Sequence, residues 1–328
     1  MRWLNFGLGR EQCSKLRQGV RWLARAVLLA ALVLPASLRA SENTPRLPFA
    51  QWADVPQEGQ LIAGALYEQS EAYYMWAGTT RHNITLKAPD GESYGIDIRQ
   101  GYVMLDYGLT ARWAADLNFG GTTVGWRSFD PGGAIQQTTG LMDTTFGVRY
   151  QLFNENWATN SPWVPTLTFR AGAVLPGLYD RHIAFAPGNH SAAIEPSLLA
   201  RKHFGWKGLG AWFDAWYRWM HTNGNDQYMA SVGLFQQIGQ WELDAGFRHQ
   251  ESTSGEDIIL FGDGVPYQNI SYQSDVREIS EEVTLGFSYV TRKRHVRLGF
   301  ESRKTFDGRN TDSALWLGGY FQVPFGGK

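Results

Sequence analysis

The sequence predicts an all-β protein, a transmembrane antiparallel up-and-down β-barrel of about twelve strands that follows a cleaved signal peptide. Three observations predict it. Stretches of alternating apolar and polar residues recur along the chain, and a strand with that period has one apolar and one polar face. The start of the chain has the features of an export signal. No apolar run after residue 40 approaches the roughly 18 residues that a membrane helix needs.

The first 40 residues are predicted to be a signal peptide. Basic residues dominate residues 1–25, an apolar run extends from Ala26 to Leu34, and small residues follow up to Ala40. That order matches a secretory leader, and the run is too short to span a bilayer. We expect cleavage after Ala40, with Ala36 as the alternative, and a periplasmic segment or plug over residues 41–57.

Removing the leader makes the chain acidic. It takes away seven of the 30 Lys and Arg residues and one of the 31 acids, which leaves a net charge of −7. No basic block remains, so we expect no nucleic-acid partner. The only cysteine, Cys13, also leaves, which excludes disulfides and cysteine-based metal sites from the mature chain. We expect no cofactor, because no metal-ligand spacing or phosphate loop occurs.

The barrel is predicted to occupy residues 58–325. Its strands are expected near residues 58–70, 94–106, 111–126, 139–152, 164–175, 191–202, 208–221, 226–237, 240–251, 277–290, 295–304 and 312–325. Twelve is an even number, as in bacterial single-chain barrels. The clearest stretch places Phe213 and Trp219 on one face and Asp214 and Arg218 on the other. A soluble sandwich would accept such strands one by one, but not so many wide aromatics on a single face.

Loop lengths and aromatic residues predict the orientation. If the N-terminus is periplasmic, the short turns lie mostly on the periplasmic side and the longer loops outside, as in outer-membrane barrels. Trp113, Tyr150, Trp241 and Tyr289 then lie on the outward face close to periplasmic turns, where amphipathic rings form an interfacial girdle. We therefore expect the protein in the outer membrane of a Gram-negative bacterium, in contact with the lipid bilayer and lipopolysaccharide.

The last strand resembles the C-terminal recognition signal of outer-membrane barrels. Gly318, Phe321, Val323 and Phe325 follow its pattern of a glycine and alternating hydrophobics, although the chain continues to Lys328. The resemblance implies the barrel-assembly machinery as a partner.

Three segments resemble the outer-membrane transporter-like family labelled "MetA-pathway of phenol degradation". They are the hairpin Asp106 to Trp113, the strand Gly140 to Tyr150 and the apolar strand Arg170 to Gly177. Their order and spacing match over about residues 94–205, while Ala111 replaces the usual acid and Met142 a glycine. The resemblance implies a barrel that carries hydrophobic or aromatic compounds.

Inward-facing residues are the candidates for function, because residues in the lumen set selectivity. Charges of both signs could orient a solute, or could pair and fill the interior. Two tryptophans add stacking surfaces for an aromatic solute. The candidate lumen-lining residues are Arg112, Asp116, Arg149, Arg170, Glu195, Arg201, Trp212, Asp214, Trp216, Arg218, Asp244, Arg248, Arg297 and Glu301.

The leading prediction is a passive uptake channel for a small solute, apolar or aromatic in character. The alternatives are a closed barrel with a structural or ligand-binding role, and an outer-membrane lipid hydrolase. The hydrolase needs a serine beside a histidine, and the nearest pairs, His190 with Ser191 and His249 with Ser252, have opposite parity along a strand. We therefore predict that the chain is not an enzyme. The apolar centre of the loop 252–276, Ile258 to Phe261, is expected either to fold into the mouth or to form a hairpin beyond the bilayer.

Overall fold

The fold is taken from a computed structural model. It describes residues 53–327 with the exception of residues 85, 88–92, 128–134, 158–162, 180–187, 189, 206–207, 222–223, 259, 262–264 and 267–275. The predicted signal peptide and residues 41–52 lie outside the described residues, so both remain predictions.

Antiparallel strands close into a single barrel, which confirms the predicted fold class. β1 pairs with both β2 and β12, and every other strand pairs with its neighbours in the sequence. The strands are β1 (Gln60–Ala72), β2 (Ile96–Gly108), β3 (Trp113–Arg127), β4 (Ile135–Leu141 and Thr144–Phe153), β5 (Thr166–Leu175), β6 (Ala193–His203), β7 (Leu209–Met220), β8 (Gln227–Ile238), β9 (Trp241–Ser252), β10 (Ile279–Val290), β11 (Arg297–Arg309) and β12 (Leu315–Gly326).

The apolar face of the barrel is the outer one. On β7, Phe213 and Trp219 are exposed, whereas Trp212 and Asp214 are buried inside. The rings of Trp113 and Tyr150 lie 4.6 Å apart on the outer surface, and those of Trp241 and Tyr289 lie 4.9 Å apart. So large an apolar surface around a closed sheet requires an apolar solvent. Outer-membrane localisation, as predicted, agrees with this fold.

Among the described residues, no α-helix has the length and the apolar character to cross a bilayer.

We call the end of the barrel that carries the short turns periplasmic and the other end extracellular, as is usual for barrels of this type. The tightest periplasmic turn joins β8 to β9 through Gly239 and Gln240. Gly239 has a φ of +63°, which two-residue hairpins require and glycine adopts at low cost.

Two strands differ from their predicted form. β4 is broken at Met142 and Asp143, because the Asp143 carboxylate accepts hydrogen bonds from the Gly177 amide (2.8 Å) and the Tyr179 hydroxyl (2.9 Å) of the loop after β5. β11 continues to Arg309 instead of ending near residue 304 and stays paired with β10 beyond a bulge at Phe306, opposite Glu281 and Glu282.

In their described residues, the extracellular loops contain three small hairpins. Tyr74–Ala77 pairs with Thr80–Asn83, Leu86–Lys87 with Ser93–Tyr94, and Leu260–Phe261 with Val265–Pro266. The first hairpin also bonds to the loop before β12, where the Trp76 amide donates to the Thr311 carbonyl (2.8 Å). The extracellular loops therefore support one another over the mouth.

Candidate functional site: the barrel interior and its two mouths

All the candidate lumen residues except Arg112 lie on strands and alternate with the exposed outer residues, so their side chains face the interior. The predicted position of Arg112 in the lumen is wrong. It lies in the turn before β3, exposed, with its guanidinium carbon 4.6 Å from the centroid of the Trp157 ring. The turn is held by the Thr110 hydroxyl, which accepts from the amides of Arg112 (3.2 Å) and Trp113 (3.1 Å), so the strand starts one residue too late to include Arg112.

One chain of ion pairs follows the inner wall from β2 to β7. Arg170 donates to Asp116 (2.7 Å) and to Glu195 (3.0 Å), and Glu195 also pairs with Arg218 (2.5 Å). Arg149, which is fully buried, pairs with Asp106 and lies 3.6 Å from Asp116. Charges buried to this degree must be paired.

A second chain runs from β9 through β11 to β1. Glu282 lies 3.5 Å from Arg248 and 3.8 Å from Arg303, and Arg303 also pairs with Glu68 at 2.9 Å. Nearer the periplasm, Arg297 donates to Glu242 (3.0 Å) and to the Ser288 hydroxyl (2.6 Å).

These ion pairs follow the wall and do not cross the interior. Within the described part of the chain, each pair between strands joins strands that are one or two apart around the barrel. Glycines make room for them, as Gly147 of β4 and Gly172 of β5 do for Arg170, where a Cβ on Gly147 would lie 2.7 Å from Nε. A Cβ atom on Gly172 would lie 2.2 Å from Arg170 Nη1, so the guanidinium lies flat against the backbone there.

Trp212 lies against the wall in the same way. A Cβ on Gly233 would lie 2.5 Å from Trp212 Cζ2, and one on Gly246 would lie 2.6 Å from that atom. The indole of β7 therefore extends along the wall over β8 and β9. Three buried atoms of this wall, Trp212 Nε1, Thr284 Oγ1 and Arg248 Nε, have no hydrogen-bond partner among the described residues.

An apolar patch lies among the charges of the inner wall. Leu66, Met104 and Tyr320, from β1, β2 and β12, form a buried cluster against which Tyr102 packs. The Tyr320 ring fits over Gly299 of β11, where a Cβ would lie 2.1 Å from Cζ. The interior thus places an apolar patch beside charged groups on the same strands, such as Glu68 of β1 and Asp106 of β2.

The extracellular mouth carries an apolar cap. Inward residues at the ends of β1, β2 and β3 meet residues from the loops in one buried cluster, whose members are Ala72, Met75, Ile84, Ile96, Val124, Ile258, Val276 and Ala314. Ile258 belongs to the loop 252–276, so this part of that loop folds into the mouth, while Leu260–Phe261 forms the short hairpin. The short hairpin is a separate sheet within the loop and does not continue β9 and β10, which end at Ser252 and begin at Ile279.

Asn310 joins the loops of this cap. It is 1% exposed and has a φ of +50°, a conformation that asparagine tolerates better than most residues. Its Oδ1 accepts from the amides of Gly78 (2.7 Å) and Ile258 (3.0 Å). Its Nδ2 donates to the carbonyl of Arg277 (2.7 Å) and to Asp257 Oδ1 (2.9 Å). One side chain thus connects the loop after β1 with the loop before β10.

The periplasmic mouth is crossed by the chain that precedes β1. The Ala53 carbonyl accepts from Gln151 (3.2 Å) and from the Thr168 hydroxyl, and the Asp54 carbonyl accepts from Arg149 (2.9 Å). These partners belong to β4 and β5, across the barrel from β1. Residues 53–59 therefore pass over the opening, and the predicted plug over residues 41–57 is described only from Ala53 onwards.

An ionic cluster holds this segment. Arg201 pairs with the Asp54 carboxylate and with Glu155 (2.9 Å) in the turn after β4. Glu155 also bonds to the His203 amide (2.8 Å) and ring nitrogen Nδ1 (2.7 Å). Burial alone would raise the pKa of Glu155, but the hydrogen bonds with His203 and the charge of Arg201 outweigh it and lower that pKa to about 2.

The serine and histidine candidates for a hydrolase do not meet. Ser252 is buried on the inward face of β9, whereas His249 faces outward and bonds to Glu281 at 2.7 Å. Ser191 bonds to the carbonyl of Ala192 (3.1 Å), and the His190 ring packs edge-on against Tyr179. Across the described part of the chain, no group of three acidic, histidine or cysteine side chains could hold a metal ion.

The sequence-based candidate set omitted several interior charges. Glu68, Asp106, Glu242, Glu282 and Arg303 all take part in the ion pairs of the wall. The same alternation that selected Asp244 and Arg297 places Glu242 and Arg303 on the inward face, so parity was sufficient to find them. Asn310 and Asp54 lie outside the strands, where parity gives no information.

Comparisons with known proteins agree with the fold. No protein-family model and no curated protein matches the chain. Among solved structures, the chain is similar to the COG4313 outer membrane channel from Pseudomonas putida F1, with 16% identity, 88% of this chain and all of that chain covered, and a TM-score of 0.62. The toluene transporter TodX of P. putida (10% identity, 84% and 92% covered, TM-score 0.40) and the KdgM porin (10%, 80% and 99%, 0.40) are less similar. The first likeness shows a fold of the outer-membrane channel type.

Proposed function

We propose that the protein is a passive channel of the outer membrane for small molecules with an apolar or aromatic part. The observation that carries the proposal is the course of the interior ion pairs, which follow the wall between neighbouring strands. We infer that side chains which lie flat over glycines leave room for a solute along the axis of the barrel. Paired charges that crossed the interior would close it.

The chemical character of the inner wall supports a solute with an apolar or aromatic part. The apolar patch of Leu66, Met104 and Tyr320 offers contact to an apolar body, and the charged side chains around it offer hydrogen bonds. Buried polar atoms without a protein partner, such as Trp212 Nε1, bond water or solute in native structures. A fold shared with a solved outer-membrane channel, and the sequence resemblance to a family associated with aromatic compounds, agree with this proposal.

A second candidate, a closed barrel with a structural or ligand-binding role, is favoured by one observation. Part of each mouth is covered by the protein itself. The apolar cap covers the extracellular mouth, and residues 53–59 cover the periplasmic one. Measurement of flux distinguishes the two candidates, because a closed barrel conducts nothing.

The test is conductance in planar bilayers with a variant that narrows the wall. Gly246→Ala places a methyl group 2.6 Å from Trp212 Cζ2 and 2.8 Å from Thr284 Oγ1, so the indole must move towards the axis. The matched control is Gly319→Ala on the outer face, where the nearest atom would lie 3.9 Å away. We expect the wild type and the control to conduct alike, and Gly246→Ala to conduct less.

Solute preference is tested in liposomes that contain the purified barrel. Flux of a small aromatic alcohol is compared with that of a sugar of similar size. Faster entry of the aromatic compound supports the proposed solute class. A barrel without conductance or flux contradicts the channel, and equal entry of both solutes contradicts only the solute class.

A further inference from the structure

On the outer surface, at the extracellular end, two cationic side chains bond to the same serine. Lys304 lies on the outward face of β11 and donates from Nζ to the Ser313 carbonyl (2.8 Å) and, more weakly, towards its hydroxyl (3.5 Å). Arg81, from the first extracellular hairpin, donates from Nη2 to the same hydroxyl (3.2 Å). Both positive groups therefore converge on Ser313.

The position of Arg81 is fixed by two aromatic rings. Its guanidinium carbon lies 4.3 Å from the centroid of the Tyr74 ring and 5.7 Å from that of Trp76. Trp76 is buried and belongs to the hairpin that is bonded to the loop before β12. The two rings therefore hold Arg81 in one orientation before any ligand binds, although the side chain is exposed to solvent.

Within the described part of the chain neither cation has a carboxylate at ion-pair distance, and Asp312 acts on Lys304 only from farther away. The arginines of the inner wall differ, because Arg170, Arg218 and Arg303 each contact a carboxylate. Two like charges on one serine repel each other, and the repulsion is relieved when an anion binds between them. The outer pair thus has the chemistry of an anion site.

The surroundings of Lys304 place this site at the edge of the bilayer. Its cross-strand neighbour on β12 is Leu315, and Phe306 follows two residues later on the same face; both are about half exposed. Lysine within an apolar belt extends its ammonium group to the level of the lipid headgroups. A lipid whose chains contact Leu315 and Phe306 would bring an anionic headgroup to that level.

We propose that Arg81, Lys304 and Ser313 bind a phosphate group of an outer-leaflet lipid, the phosphate of lipid A in lipopolysaccharide. A phosphate monoester carries up to two negative charges and three acceptor oxygens. Its oxygens can accept from the planar guanidinium and the compact ammonium group at once. The proposal depends on membrane embedding of the barrel and is independent of transport.

The test compares lipid A with its dephosphorylated form. Retention of each by the detergent-purified barrel is measured by native mass spectrometry for the wild type and for Arg81→Gln with Lys304→Gln. The control variant, Arg292→Gln with Lys293→Gln, removes the same charge from exposed residues of the periplasmic turn. Inorganic phosphate as a competitor distinguishes a lipid from a free anion.

We expect the wild type and the control to bind phosphorylated lipid A alike, and the Arg81 and Lys304 variant to bind it about thirtyfold more weakly, on the scale of two basic residues beside an anionic surface. Equal retention by both double variants would overturn the site. Equal retention of the dephosphorylated lipid would overturn the phosphate as ligand. Displacement of lipid A by millimolar phosphate would overturn the lipid as its source.

Discussion

At the extracellular mouth the barrel is covered mainly by apolar side chains and the hydrogen bonds of Asn310, beside one ion pair of Asp257 with Arg309, whereas at the periplasmic mouth the covering chain is held mainly by charged side chains. Arg149 donates to the Asp54 carbonyl, and Arg201 pairs with the Asp54 carboxylate and with Glu155, while Gln151 and Thr168 add neutral bonds to the Ala53 carbonyl. The two ends therefore respond to different perturbations. Loss of a charge affects the periplasmic segment, and loss of packing or of an amide affects the cap.

The largest effect is expected at the periplasmic mouth. Arg201→Gln removes the cation that Asp54 and Glu155 share, and a buried carboxylate without its partner costs about 3–5 kcal/mol. We expect faster hydrogen exchange at the Gly59 and Gln60 amides, which bond to Gly108 and Gln57. Arg201→Lys keeps the charge, so a smaller increase in hydrogen exchange at these amides is expected. Unchanged exchange in Arg201→Gln, or equal acceleration in the cap, would show that the two ends do not differ as described.

A somewhat smaller effect is expected from Asn310→Ala in the cap. The substitution leaves the buried amides of Gly78 and Ile258 without an acceptor and places alanine at a φ of +50°, for a cost of about 2–4 kcal/mol. Hydrogen exchange at those two amides should rise, while Gly59 and Gln60 stay protected. Asn310→Gly relieves the backbone strain alone. If glycine restores protection, strain and not the hydrogen bonds accounts for the effect.

The smallest effect is expected from a change of pH, because the hydrogen bonds of Asn310 stay in place. The stability of the two mouths should nevertheless depend on pH in different ways. Burial raises the pKa of Glu278 to about 7, assisted by the charges of Asp312 and Glu282 and opposed by the hydrogen bond from Thr311. Burial likewise raises the pKa of Asp312 to about 6. Acids with a raised folded pKa destabilise the fold when they ionise, so the cap is expected to weaken as the pH rises from about 4.5 to 7.

The periplasmic cluster has the opposite sign. The folded pKa of Glu155 lies below its ordinary value, so its contribution is complete above about pH 4.5 and is lost as the pH falls towards 2. Between pH 5 and 8, opening of the cap should change and opening at residues 59–60 should not, when exchange is corrected for its intrinsic pH dependence. Glu278→Gln should reduce the change in the cap. A variant that retains the full pH dependence of the wild type would assign it to another group.

Alternation along the strands was sufficient to predict the barrel and most of its inner wall. It placed Asp214 and Arg297 inside because a residue's parity decides its face. It could not predict the break in β4, since Asp143 is held by Gly177 and Tyr179, distant in sequence. It misplaced Arg112, because a strand that begins one residue later leaves this residue in the turn and no longer on the inner wall. Asn310 and Asp54 act through loops, whose contacts depend on the closed barrel.

The most direct test of the account is the conductance of the wild type compared with that of Asn310→Ala in planar bilayers. If the interior is a path for solutes and the apolar cap covers part of its outer mouth, the wild type conducts and the variant, with its cap loosened, conducts more. If neither protein conducts while hydrogen exchange shows that the cap has opened, the interior itself is closed. That result would contradict the channel and favour the closed barrel.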